Sequence, residues 1–207
     1  MTTNDPAGTA LTAALAALAI ESEALAGAAA KVERDLPRAI ELMWRAKGRV
    51  IVSGLGKSGH VGAKIAASLA SMGTPSFFVH STEALHGDSG MVTPDDVVIL
   101  ISNSGETAEV CWFGRMLQTW GVPIIAMVGV PDSTLGRLGQ VTLNVGVERE
   151  ADPLGLAPTA STTVTLAVGD ALAAGLMALR QWTPDQFHER HPGGSLGKLL
   201  TQAGGAA

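Results

Sequence analysis

The chain has one cysteine in 207 residues, Cys111, so no internal disulfide can form and nothing suggests secretion. Cys111 itself reads as a small buried hydrophobe. Basic residues are also scarce. Fourteen Lys and Arg against nineteen Asp and Glu leave a formal charge of −5 with no basic run, which excludes the positive stripe of a nucleic-acid surface. No apolar stretch is expected to reach the length of a membrane span. The alanine-rich run at residues 10–20 imitates a signal-peptide core, but no Lys or Arg precedes it, Asp5 does, and Glu21 and Glu23 interrupt the stretch after it. The expectation is a cytoplasmic protein without nucleic-acid or membrane partners.

What is present fits one α/β domain with an arm. Leu11, Leu15, Leu18 and Leu25 form a seam on one side of an alanine-rich helix, and Pro37 suits the first turn of a second helical piece running to about Lys47. Such a seam can pack on its own core or pair with another subunit. Residues 1–47 are therefore read as a helical arm and residues 48–207 as the domain. Short apolar runs come next at residues 49–52, 76–79, 96–101, 123–128 and 141–145, and helical stretches at 58–72, 107–120 and 160–179 alternate with them. Fully apolar strands alternating with helices predict a three-layer αβα sandwich on a five-stranded parallel sheet, flavodoxin-like. Right-handed crossovers put every strand-to-helix loop at one edge of that sheet, where ligands bind.

Two such loops carry chemistry. Ser53 to Gly62, SGLGKSGHVG, holds a G-x-G-x-x-G at Gly54, Gly56 and Gly59, but lacks what a nucleotide would need. The next strand ends at His80 with no acid for a ribose hydroxyl, Glu83 lying beyond it. A phosphate-loop reading of Gly56-Lys57-Ser58 needs a glycine where Ile51 stands. The glycines remain suited to a tight turn that aims amides at an anion. The second loop, Ser102-Asn103-Ser104-Gly105-Glu106-Thr107, brings three hydroxyls to a helix start, which suits a phosphate cage. The alternative is a helix cap at Ser104, which needs one hydroxyl rather than three.

In order along the chain, GLGKSGHVGAKIAASLASMGTPSFFVH, EALHGDSGM, ISNSGET, EREADPLGLAPTASTT and HPGGSLGKLL resemble the sugar isomerase (SIS) domain. They are most similar to arabinose-5-phosphate isomerases, which interconvert D-arabinose 5-phosphate and D-ribulose 5-phosphate. The resemblance covers roughly residues 40–201, and its GKSGH, HGD and HPGGSLG segments are more specific than SNSGET. Family members usually continue into a pair of regulatory cystathionine-β-synthase-type modules, whereas this sequence runs to Ala207. Where the family often has cysteine before PLGLAPT, Asp152 stands here.

The resemblance implies catalytic roles for Lys57, Glu109, Glu150 and His191. Lys57 would stabilise charge, Glu150 would move the proton, and His191 would serve ring opening or acid–base transfer at neutral pH. Glu109 is preferred over Glu106, and Glu150 over Glu148. Implied substrate contacts are Ser53, Gly56, Ser58, Gly73, Thr74, His80, His86, Ser102, Asn103, Ser104 and Thr107. No cofactor is required, and His80 is a candidate ligand for an inhibitory zinc. His188 and His191 are three apart, yet no cysteine or carboxylate completes a metal set. His60 reads as a packing or capping residue. The resemblance further implies a homotetramer with active sites shared between copies. Alternatives are an SIS isomerase of a hexulose or heptulose phosphate, and a sugar-phosphate sensor without catalysis.

Overall fold

A computed structural model describes residues 5–191. The elements in chain order are α1 (Pro6–Val32), α2 (Leu36–Arg45), β1 (Val50–Gly54), α3 (Gly56–Ser71), β2 (Ser76–His80), α4 (Ser81–Ala84), β3 (Val97–Ser102), α5 (Ala108–Thr119), β4 (Ile124–Val128), α6 (Thr134–Leu138), β5 (Val141–Asn144), α7 (Ala160–Leu179) and α8 (Pro184–Arg190). The five strands are all parallel, in the order β2-β1-β3-β4-β5.

The apolar runs become strands because both faces of the sheet are covered. Every residue of β1, β3 and β4 is buried. Alternate side chains feed two cores. Val50, Val52, Val97, Ile99, Ile101, Ile125 and Met127 pack with α1, α2, α3 and α7. Ile51, Val98, Leu100, Ile124, Ala126 and Val128 pack with α4, α5 and α6. At about 25 cal/mol per Å² of buried apolar surface, such strands are the main source of stability. Buried Asp96 pins the amino ends of two strands together: it accepts from Arg49 N at 2.6 Å and from Thr93 N at 2.7 Å.

Helix α7 buries Val164, Val168, Leu172, Ala173 and Leu176 against the sheet and neighbouring helices, while Asp170 pairs with Lys64 and Ala171, Ala174, Ala178 and Leu179 are exposed. Small residues let those helices approach: a Cβ on Gly175 would meet Ile40 Cδ1 at 2.6 Å, and one on Gly169 would run into Ile65. By length and composition α7 and α1 each reach what a membrane span needs, which corrects the expectation drawn from the sequence. In α7 one side of that apolar surface fills the core. The leucine seam of α1 stays at the surface instead. Leu11, Leu15 and Leu18 are 61%, 58% and 67% exposed, and within α1 only Ala28 and Val32 are buried.

Candidate active site

In an open parallel sheet the crevice forms where neighbouring strands send their helices to opposite faces. Here that point lies between β1 and β3, since α3 packs in one core and α5 in the other. A cleft of about 350 Å³ opens there, lined by Lys57 and Ser58 after β1, Asn103, Ser104 and Thr107 after β3, and Pro158, Ser161, Thr162 and Thr165 at the start of α7. Neither α3 nor α5 has a side-chain cap, so their first amides are left to other partners at this cleft. Gly56, at φ +52°, makes the turn from strand into α3.

The loop after β3 is held from behind. Ser102 Oγ and Thr107 Oγ1 are 2.8 Å apart, and Gly105 N donates to Ser102 Oγ at 3.1 Å. Gly129 N donates to Asn103 O at 2.8 Å, Leu135 N to Gly105 O at 2.9 Å, and Thr134 N to Glu106 Oε1 at 2.8 Å. Gly105 sits at φ +68°, and a Cβ there would run into Ser133 Oγ. The helix start is Thr107 rather than Ser104, whose Oγ accepts from Glu106 N at 3.1 Å in a local turn. The alternative reading of Ser104 as the cap of α5 therefore does not describe this loop. The hydrogen bond from the Thr134 amide holds the Glu106 carboxyl below its ordinary pKa. Glu109, half-buried, lies in the first turn of α5.

Glu150 follows β5 and reaches across its loop to the start of α7. Its Oε2 accepts from Thr159 N at 2.8 Å, Ser161 N at 3.1 Å and Thr159 Oγ1 at 3.2 Å. Burial pushes its pKa up, but hydrogen bonding from Ser161 and Thr159 outweighs this and holds it below the usual value. It is therefore ionised at neutral pH and is already hydrogen-bonded before any ligand arrives.

The remaining residues divide between two edges of the sheet. His80 ends β2, with Nδ1 buried and without a hydrogen-bond partner, and exposed His86 follows α4. Both lie on the carboxyl side of the strands with Lys57. Ser53 is fully buried at the end of β1, its hydroxyl 2.7 Å from that of Ser81. Gly73 and Thr74 lie between the end of α3 and the start of β2, hence at the amino edge. His191 closes α8 beyond α7, stacked on Phe187 at 4.1 Å with Nδ1 2.9 Å from Phe187 O. Its neighbour Arg190 lines a second cleft with Gly73 and Arg49, so His191 also belongs to the amino edge. One chain thus gathers Lys57, Ser58, Asn103, Ser104 and Thr107 in one cleft and holds Gly73, Thr74 and His191 at the other end. The rest of the HPGGSLG segment lies outside the described residues. Ser161, Thr162 and Thr165 were not singled out from the sequence, although their position at the start of a helix following β5 was a usable signal. Among the described residues no three of His, Cys, Asp or Glu gather as a metal set would.

The sheet is doubly wound and parallel, with two helix starts lacking side-chain caps at its switch point, and the chain belongs to the SIS domain family, whose pattern matches residues 42–175. Among relatives, it is 51% identical over 183 residues to the arabinose 5-phosphate isomerase KdsD of Pseudomonas aeruginosa, covering 88% of this chain and 56% of that protein. It is 53% identical to the arabinose 5-phosphate isomerase KdsD of Escherichia coli K12, with the same coverage of 88% and 56%. The chain thus spans a little over half the length of these curated relatives. A solved structure of an Escherichia coli CFT073 protein in complex with arabinose 5-phosphate is similar with a TM-score of 0.85 and 41% identity, over 93% of this chain and all of that one. The Vibrio vulnificus NanR protein complexed with ManNAc-6P shares the fold, with a TM-score of 0.72 at 22% identity, over 88% of this chain and 67% of that one.

Proposed function

We propose that this protein is an aldose–ketose isomerase interconverting D-arabinose 5-phosphate and D-ribulose 5-phosphate through an enediol. The observation that carries the reading is the cleft where Lys57 meets the Ser104 loop beside the start of α7. The phosphate docks on Ser104, Asn103 and the amides at the starts of α3 and α5, where fixed dipoles favour an anion. The sugar carbonyl then points toward Lys57, whose ammonium stabilises the charge that builds on oxygen as the enediolate forms. Glu150, ionised and fixed in orientation, takes the proton beside the carbonyl and returns it to the neighbouring carbon. Glu109 holds hydroxyls from α5. Atoms balance within the sugar, so the reaction calls for no cofactor, and His80 is retained as a ligand for an inhibitory zinc.

His191 is the ring-opening or acid partner in this reading. Its position at the amino edge supports its delivery, with Gly73 and Thr74, from a neighbouring copy, and the same holds for the exposed leucine seam of α1 as a subunit contact. The protein is then a cytoplasmic homotetramer with shared sites. NMR of the purified chain with pentose, hexose and heptose phosphates tests the reaction: exchange of the arabinose 5-phosphate pair is expected. Exchange confined to a hexulose or heptulose phosphate would change the substrate, and binding without exchange would make the protein a sensor. Light scattering that finds a fully active monomer at micromolar concentration would remove the shared site.

A further inference from the structure

The loop between β5 and α7 contains a second carboxylate that touches neither the cleft nor Glu150. Asp152 Oδ1 accepts from Leu154 N at 2.9 Å, while its Oδ2 accepts from Leu156 N and Ala157 N, each at 2.8 Å. Its carbonyl oxygen accepts from Gly155 N at 2.9 Å, and Gly155 supplies the left-handed turn at φ +65°. Four amides of a six-residue turn therefore point at one residue. Packing does not hold this turn: Leu154 and Leu156 are 79% and 77% exposed. Hydrogen bonds to Asp152 define its shape.

That turn leads directly to the partners of Glu150. Ala157, fixed by Asp152, stands two residues before Thr159, and Ala157 O and Glu150 Oε2 both lie 3.2 Å from Thr159 Oγ1. Ala151 N donates back to Thr159 Oγ1 at 2.7 Å. Thr159 is thus the joint between the turn and the carboxylate. We infer that Asp152 is a positioning residue, which fixes the Thr159 and Ser161 amides and through them the orientation of Glu150. The inference rests on the proposed role of Glu150 for its effect on turnover, though not for the loop coupling itself. Among the described residues no ion pair competes for Glu150. Glu148 is exposed, and Arg149 faces Glu23 on α1 at 3.9 Å.

The test is Asp152→Asn in the full chain, alone and combined with Glu150→Gln. Asparagine keeps one acceptor for Leu154 but presents an NH2 to the Leu156 and Ala157 amides. Two readouts are expected. Hydrogen exchange at the Thr159 and Ser161 amides should rise while the β3 amides stay protected. kcat should fall roughly 10- to 100-fold with KM little changed, as expected for a misplaced reacting group. In the Glu150→Gln background the same substitution should add little, because the group it positions is already disabled. With Glu150 released from those amides, the acid limb of the kcat profile should move to higher pH. A multiplicative loss in the double variant, or unchanged exchange at Thr159 and Ser161, overturns the inference. If Asp152→Asn fails to fold, Asp152→Ser, which also keeps a single acceptor, is read in the same way. A wild-type protein without isomerase activity whose amides behave as expected would sink the proposed reaction and leave the coupling standing.

Discussion

Two loops border the cleft, and they are built from different materials. The loop after β3 is held by hydroxyls and a glycine: Ser102 with Thr107, Gly105 with Ser102, and backbone bonds to β4 and α6, with a single carboxylate, Glu106, on its outer side. The loop after β5 is held by carboxylates, Glu150 and Asp152, each gathering several amides onto one side chain. A loop braced mainly by hydroxyls and backbone has only Glu106 to lose in acid and leaves further hydroxyls facing a ligand. One braced by carboxylates carries ionised groups beside the cleft and weakens in acid. The first is suited to hold a phosphate, the second to hold a base.

The comparison is broken most severely at Gly105. Gly105→Val places a β-branched side chain at φ +68° against Ser133, so sugar-phosphate binding measured by calorimetry should be lost and the melting temperature should drop. In the other loop, Gly155→Ala meets open space and should cost only the left-handed strain of about 1–2 kcal/mol. Equal effects at the two glycines would mean the loops are not built as differently as described.

Next in size is Glu150→Gln, which keeps an acceptor for the α7 amides but removes basicity. Turnover should fall by roughly 10²-fold or more while binding survives, and solvent deuterium exchange at C2 should fall in parallel. If exchange is normal in Glu150→Gln and lost in Glu109→Gln, the two carboxylates have each other's roles. Ser104→Ala, on the hydroxyl side, should instead weaken phosphate binding by roughly 1.5–3 kcal/mol and leave the bound-state proton transfer largely intact.

The smallest effect is a loss of stability in acid, to which Glu106 contributes in the first loop and both Glu150 and Asp152 in the second. Glu150 has a folded-state pKa below its ordinary value, so its stabilisation is complete above the unfolded pKa, about 4.3, and is lost as pH falls through the lower folded value. For Asp152, desolvation pushes the pKa up, but the Leu154, Ala157 and Leu156 amides together outweigh it and hold it below the usual value, so it acts in the same direction from about 3.9 downward. Urea midpoints measured from pH 6 to pH 3.5 should therefore fall in acid, and less steeply in Glu150→Gln. Identical slopes would show that this carboxylate does not couple to folding.

Much of this was legible in the residues. Apolar runs alternating with helical stretches pointed to a covered parallel sheet, fully buried in β1, β3 and β4 and partly exposed in the edge strands β2 and β5, and the observed strand ends lie within two residues of the expected runs. The Ser102–Thr107 loop was legible because its hydroxyls outnumber what a cap needs. The short helices α4, α6 and α8 were not, because four to seven residues carry too little periodicity. The work of Glu150 and Asp152 was hidden too, since amide partners two to eleven residues away leave no compositional trace. The separation of His191 from Lys57 could have been seen. A 20-residue helix is about 30 Å long and returns the chain to the amino edge, so the segment after α7 starts there.

The outward leucines of α1 carry a thermodynamic signature of their own. If other copies cover this seam, as proposed above, folding answers to mass action, because association favours the native state over the unfolded one. The melting temperature should then climb with the logarithm of protein concentration, and the abundance of the chain would itself set how firmly each copy is folded.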